Sequence, residues 1–345
     1  MRLRGSQVAA IVAVVVSVFA IGASAAMAQG LGASLSQADR TAGAEALAAG
    51  RYGIEVTPTQ SGATAGASAF ARFGEAANLP TPSDSINPLV TIPSPSWGPI
   101  DLYNSGGGSL TTTTQWPVYL GCPASNQTCW GNPQQFITDL NASKFIHVVD
   151  QYVGSTKPKR YPLAGTYIYN TSSVGTFLSE SDTFAWLHAA VGSAGGANGP
   201  GNIYHLFINQ GIDVCADPYN SQCYAPDSAY NFTFCGYHSY VTFNDYGTVY
   251  FTVEPYQAVD HCFGPTADVT SATANVLSHE IFEAITDPNL NTWYGYGYPI
   301  DNYGEEIGDQ CVWLHLYPQK LNFLHQAYVT QNEYSNKYHS CVDKP

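Results

Sequence analysis

Eight cysteines constrain this chain more than any other feature: Cys122, Cys129, Cys215, Cys223, Cys235, Cys262, Cys311 and Cys341, with none earlier. An even count without any C-x-x-C pair argues for four disulfides and against zinc held by thiolates. Cys122 and Cys129 are close enough to close a small loop, and Cys311 and Cys341 tie the C-terminal tail to 305–311. The middle four pair among themselves in an order that spacing does not decide. Disulfides need an oxidising compartment, and the N-terminus carries the matching address. Arg2 and Arg4 precede an apolar run from Val8 to Ile21, which trails into small residues ending Ala26-Met27-Ala28. This reads as a signal peptide over 1–28, with a mature start at Gln29. Ser17 and the Gly22-Ala23-Ser24 trail weigh against the alternative, an uncleaved anchor. No later stretch approaches the roughly 20 apolar residues of a spanning helix, so no membrane contact is expected after cleavage.

Charge excludes some partners. The formal net charge is −14, and losing Arg2 and Arg4 with the signal takes it to −16. Twelve basic residues form no patch for phosphates, so nucleic acid and anionic membrane surfaces are excluded as partners. Residues 29–87 are rich in Ala, Gly, Ser and Thr, lack Cys and Trp, and read as a low-complexity pro-segment or linker with one short helix near 35–47. From 88 to 345 the pattern is that of one domain. Strands are expected at 110–120, 144–149, 165–169 and 202–208, and a hairpin across 240–253 turning at Asn244-Asp245-Tyr246-Gly247. Helices are expected at 133–140, 181–191 and 270–287. Interleaved strands and helices predict a mixed α/β (α+β) domain, stapled by disulfides.

The helix at 270–287 carries the chemistry. Thr270 or Ser271 caps it and Pro288 stops it. It contains His279-Glu280-Ile281-Phe282-Glu283, an H-E-x-x-E pattern that sets His279 and Glu283 one turn apart on one face. This is the zinc-hydrolase helix H-E-x-x-H with a carboxylate as second ligand. Two ligands one turn apart grip an ion, a third from elsewhere leaves a position for water, and Glu280 takes that water's proton. Glu306 is the first choice of third ligand. Asp309 is then a partner that orients His279, or the ligand itself with the roles exchanged. His238 is a further candidate ligand, against a plain hydrogen-bonded strand histidine, and Tyr294 a candidate oxyanion donor. Burying an imidazole and two carboxylates among Val276, Leu277, Ile281 and Phe282 without a cation would be costly. A surface charge cluster and a structural Ca2+ site stand as the other readings.

The stretch Ser278-His-Glu-Ile-Phe-Glu-Ala-Ile-Thr-Asp-Pro288, then Asn291-Thr-Trp-Tyr294, then Glu306-Ile-Gly-Asp-Gln-Cys311 resembles the signature of the phosphate-induced (EXORDIUM-like) secreted proteins. Cys235-Gly-Tyr-His238, Gly106-Gly-Gly-Ser-Leu-Thr111 and the segment from Tyr328 to Cys341 also fit, in order, so the resemblance covers about 100–345. Phe282 stands where the family has Ala, and Asp287 where its plant members have Asn; neither touches a proposed ligand. The resemblance implies an extracellular, often cell-wall-associated protein, and no particular reaction. The residues themselves predict a zincin-like domain and a secreted zinc metallohydrolase acting on a peptide or protein. The alternative is a non-catalytic extracellular protein that binds cell-wall polysaccharide or a protein partner, with a structural metal.

Overall fold

Three of the apolar runs and the hairpin become the strands of one mixed sheet. The computed structural model describes residues 27–31, 34–50, 52–58, 101–121, 127–170, 172–228, 231–257, 259, 262, 269–295, 306–311, 319–323 and 325–345. The sheet strands are β1 (Met27–Gly30), β2 (Tyr52–Pro58), β3 (Thr114–Leu120), β4 (Thr166–Asn170), β5 (Asn202–Ile208), β6 (Phe234–Phe243) and β7 (Gly247–Glu254). Their order is β1-β4-β3-β5-β7-β6-β2. The first five are mutually parallel, and the β6–β7 hairpin adds antiparallel pairs, as does β6 with β2.

Helices cover both faces. On one side lie α1 (Gln37–Ala48) and α3 (Glu180–Ser193), where Phe184, Leu187 and Val191 pack on Leu206, Val241 and Phe251. On the other lie α2 (Pro133–Ala142) and α4 (Val269–Thr286), where Ile137, Leu277 and Ile281 meet Tyr119 and Phe207. Alternation along a strand sends successive side chains to opposite layers, which is why Val118 and Tyr119 belong to different cores. Local chemistry sets the helix ends. Ser36 with Asp39 and Ser179 with Asp182 form reciprocal capping boxes, and Asn132 caps α2 ahead of Pro133. At the end of α4, Asp287 Oδ1 accepts from the backbone N–H of Asn291 and of Thr292, both at 2.7 Å, and turns the chain after Pro288.

One expectation changes. The stretch 144–149, expected as a strand, is a 3-10 helix (Phe145–Val149). Its buried residues, Phe145, Ile146, Val148 and Val149, have helical rather than alternating spacing, and β-branched composition misleads there. Within 29–87, expected as a pro-segment or linker, the described part is ordered: β1 and β2 form the two sheet edges, and α1 packs on α3. Backbone pairing with β4 and β6 orders these edge strands, so composition does not reveal them. β1 also spans the expected cleavage point between Ala28 and Gln29, while 1–26 and 59–100 lie outside the described residues.

The Cys215–Cys223, Cys235–Cys262 and Cys311–Cys341 disulfides are formed, which settles the pairing of the middle four. Cys129 is disulfide-bonded, and Cys122, its expected partner, lies outside the described residues. Among the described residues no helix is long and apolar enough to cross a membrane.

Candidate metal centre

α4 lies over β6 and β7, and two glycines let it come close. A Cβ at Gly236 on β6 would sit 2.7 Å from Val276 Cγ1 and 2.9 Å from Glu280 Oε1. A Cβ at Gly308 would sit 2.6 Å from His279 Nδ1 and 2.8 Å from Cε1 and Cγ of the ring. The glycines of Cys235-Gly-Tyr-His238 and Glu306-Ile-Gly-Asp309 are therefore places of contact with the helix. Gly308→Ala is expected to displace the imidazole and cost about 1–3 kcal/mol of stability. It is also expected to lower divalent-metal affinity roughly 10–100-fold, measured against a competing chelator; unchanged affinity would refute this.

The chain then folds its acidic groups and two imidazoles into one buried cluster. His279 Nε2 lies 3.0 Å from Glu283 Oε1, the i,i+4 partner that spacing demanded, and 3.5 Å from Asp309 Oδ1. His238, on β6, points its Nδ1 at Glu283 Oε2 (3.4 Å) and Glu280 Oε2 (3.6 Å), and its Nε2 at Glu306 Oε2 (3.7 Å). All of these side chains are buried; the most accessible, Asp309, is 7% exposed. The Asp309 backbone N–H donates to Glu283 Oε1 at 3.2 Å. The Cys311–Cys341 disulfide and the Tyr334 N–H to Ile307 carbonyl bond (2.9 Å) hold the 306–311 segment against the strand Glu333–Ser335.

Sequence reasoning missed three participants. Gln331 donates through Nε2 to the Gly308 carbonyl at 2.7 Å, which turns its Oε1 to His279 Nδ1 at 3.2 Å. An amide oxygen only accepts, so Nδ1 carries the proton and Nε2 presents a lone pair to Glu283 and Asp309, the tautomer a metal ligand needs. Glu254, at the end of β7, accepts from Thr252 Oγ1 at 2.8 Å. Thr252 and His205 extend this buried polar track across the sheet, since His205 Nδ1 lies 2.9 Å from Thr252 Oγ1. Glu333 is buried as well. No motif marks Gln331, Glu254 or Glu333; their only signal is their place in the fold.

The roles proposed from sequence sort spatially. His279, Glu283 and Asp309 form one group of donors within mutual reach, and His238, Glu280 and Glu283 form another. Glu306, the first choice of third ligand, faces the far nitrogen of His238, and Asp309 is the acid beside His279. Tyr294 is buried on a two-residue strand paired with Tyr103.

Electrostatics show how far this cluster is from self-sufficient. Burial would lower His238, yet the Glu280 and Glu283 carboxylates raise it to about 10. His279 is likewise raised against burial, chiefly by Glu283. Burial acts to raise Glu283, but His279 and His238 override it and hold the carboxyl at about 2. Burial pushes Glu254, Glu280, Asp309 and Glu333 up. Among the described residues, both ring nitrogens of His238, Nε2 of His279, Oε2 of Glu283, Oδ1 of Asp309 and both oxygens of Glu333 lack hydrogen-bond partners. Among the described residues no lysine or arginine forms an ion pair with these acids. Donors on one tetrahedral zinc, each at about 2.0–2.1 Å, stand about 3.4 Å apart. The contacts here, too long or too bent for hydrogen bonds, bracket that spacing. Buried His, Glu and Asp groups able to hold a metal ion are thus present.

No protein-family model, curated protein or solved structure matches this chain. The fold and the site define it as a disulfide-bonded, mixed α/β protein with a buried, metal-competent His–carboxylate centre.

Proposed function

We propose that the chain is an extracellular zinc metallohydrolase of the peptidase type, its ion held by His279, Glu283 and Asp309. The observation that carries this is the imidazole Nε2 of His279, which has no hydrogen bond among the described residues and lies between two buried carboxylates, with its other nitrogen tied by Gln331. Imidazole donors favour zinc over calcium, which takes oxygen ligands. When bound, zinc supplies Lewis acidity and lowers the pKa of a water. The chain's own part is to hold the ligands in register and to offer Glu280, next to His279 on α4, as the proton acceptor. The zincin-like reading of the domain rests on this helix and the mixed sheet beneath it. The disulfides, the signal-peptide pattern and the EXORDIUM-like motifs support secretion.

Full burial of every donor favours a second reading: a closed structural ion in a non-catalytic protein that binds cell-wall polysaccharide. One experiment separates the readings. Elemental mass spectrometry of the purified protein should find zinc, lost in His279→Ala, and Glu280→Gln should cut peptide hydrolysis by roughly 100-fold or more. Bound zinc without hydrolysis of any protein substrate would establish the structural role. No metal in a folded protein would end both.

A further inference from the structure

The two imidazoles of the centre do not converge on one point. His279 Nε2 and the Asp309 backbone N–H address Glu283 Oε1, whereas His238 Nδ1 addresses Glu283 Oε2. Each oxygen of one carboxylate therefore belongs to a different set of donors: His279, Glu283 and Asp309 on one side, His238, Glu280 and Glu283 on the other. We propose that the protein binds two divalent transition-metal ions bridged by Glu283. This deepens the metal reading above and rests on it.

Three observations carry the second ion. The first is His238 itself, 0% exposed, with neither ring nitrogen in a hydrogen bond among the described residues although carboxylates lie 3.4–3.7 Å away on both sides. A buried imidazole in the middle of a sheet normally finds a partner, as His205 does with Thr252 at 2.9 Å and Gln115 at 2.7 Å. The spacing around His238 Nδ1 instead suits donors sharing an ion. Glu306, at the opposite nitrogen, is placed to accept Nε2–H and fix the ring, the carboxylate–histidine–metal arrangement.

The second observation is the bridging geometry. A carboxylate whose two oxygens face separate donor sets is the usual link in two-ion sites, where the ions stand about 3.5–4 Å apart. The third is charge. Glu254, Glu280, Glu283, Glu306, Asp309 and Glu333 are buried around only two imidazoles. When ionised these six carry six negative charges, of which one divalent ion offsets two and two ions offset four.

The second ion changes one role. Glu280 becomes a ligand rather than a free base, and water activation passes to the pair of ions. Two-ion hydrolytic sites stabilise both the attacking and the leaving oxygen of a displacement, so a phosphoester joins the peptide bond as a substrate class.

Metal stoichiometry tests this. The full chain, saturated with Zn2+ and desalted, is expected to retain two zinc ions per chain by elemental mass spectrometry. His238→Ala and Asp309→Ala should each retain one, and Glu283→Ala none. One ion in the wild-type protein overturns the two-ion proposal while leaving the metal reading intact; none overturns both. Two ions that persist in His238→Ala mark a surface-bound ion and also overturn it. Should the variants not fold, Co2+ titration of the metal-free wild-type protein decides the matter. Visible absorption that rises to a break at two equivalents supports the proposal, and a break at one refutes it.

Discussion

Stripping the purified protein with a chelator is expected to lower its Tm by about 5–15 °C, and zinc should restore it. The size follows from linkage. A ligand that binds only the folded state at roughly 100–1,000 times its Kd stabilises by about 2.7–4.1 kcal/mol, and each kcal/mol moves Tm by about 2–4 °C in a domain of this size. The cause is in the cluster. Without a cation, the neighbouring carboxylates draw protons onto His238 and His279 while burial opposes ionisation of Glu254, Glu280, Asp309 and Glu333, so burying these groups together is costly. A cation replaces those protons. Scanning calorimetry with and without chelator measures the difference, with Glu283→Ala, which removes a donor from both groups, as the insensitive control. A wild-type Tm indifferent to chelator would mean that the cluster is stable as a proton network and that no ion is needed.

The second large effect lies on the other face of the sheet. Glu180 begins α3, where the helix N-terminus would favour a carboxylate, yet burial first and nearby Asp217 second push it up to about 9. Its folded pKa stands above its unfolded one. The proton held by the fold therefore contributes stability fully below about pH 4.5, and this is lost as pH rises toward 9. Glu180→Gln has no proton to lose. It is expected to match the wild-type protein near pH 5 and to exceed it by on the order of 2–3 kcal/mol at pH 7.5. Denaturant titrations at the two pH values measure this. A gap that does not widen with pH would show that Glu180 is ionised in the fold.

Much of the architecture was readable from local patterns. Alternating runs became β3, β5 and the β6–β7 hairpin, and Pro133 and Pro288 bounded α2 and α4, whereas Thr270 and Ser271, expected to cap α4, lie inside it because the helix already begins at Val269. The 3-10 turn at Phe145–Val149 was missed because β-branched content outweighed its spacing. The edge strands β1 and β2 were missed because their order comes from pairing with residues more than a hundred positions away.

The centre divides in the same way. The sequence alone determined that α4 presents His279 and Glu283 one turn apart, because helical geometry is local, and that Cys311 could reach Cys341. Only the tertiary structure decided that Asp309 rather than Glu306 faces His279. It also decided that Glu306 backs His238, and that Gln331, Glu254 and Glu333 join the cluster. These residues come from β6, β7 and two segments joined by the Cys311–Cys341 disulfide. Their meeting depends on strand register and on the close approach at Gly236 and Gly308, which no spacing along the chain encodes.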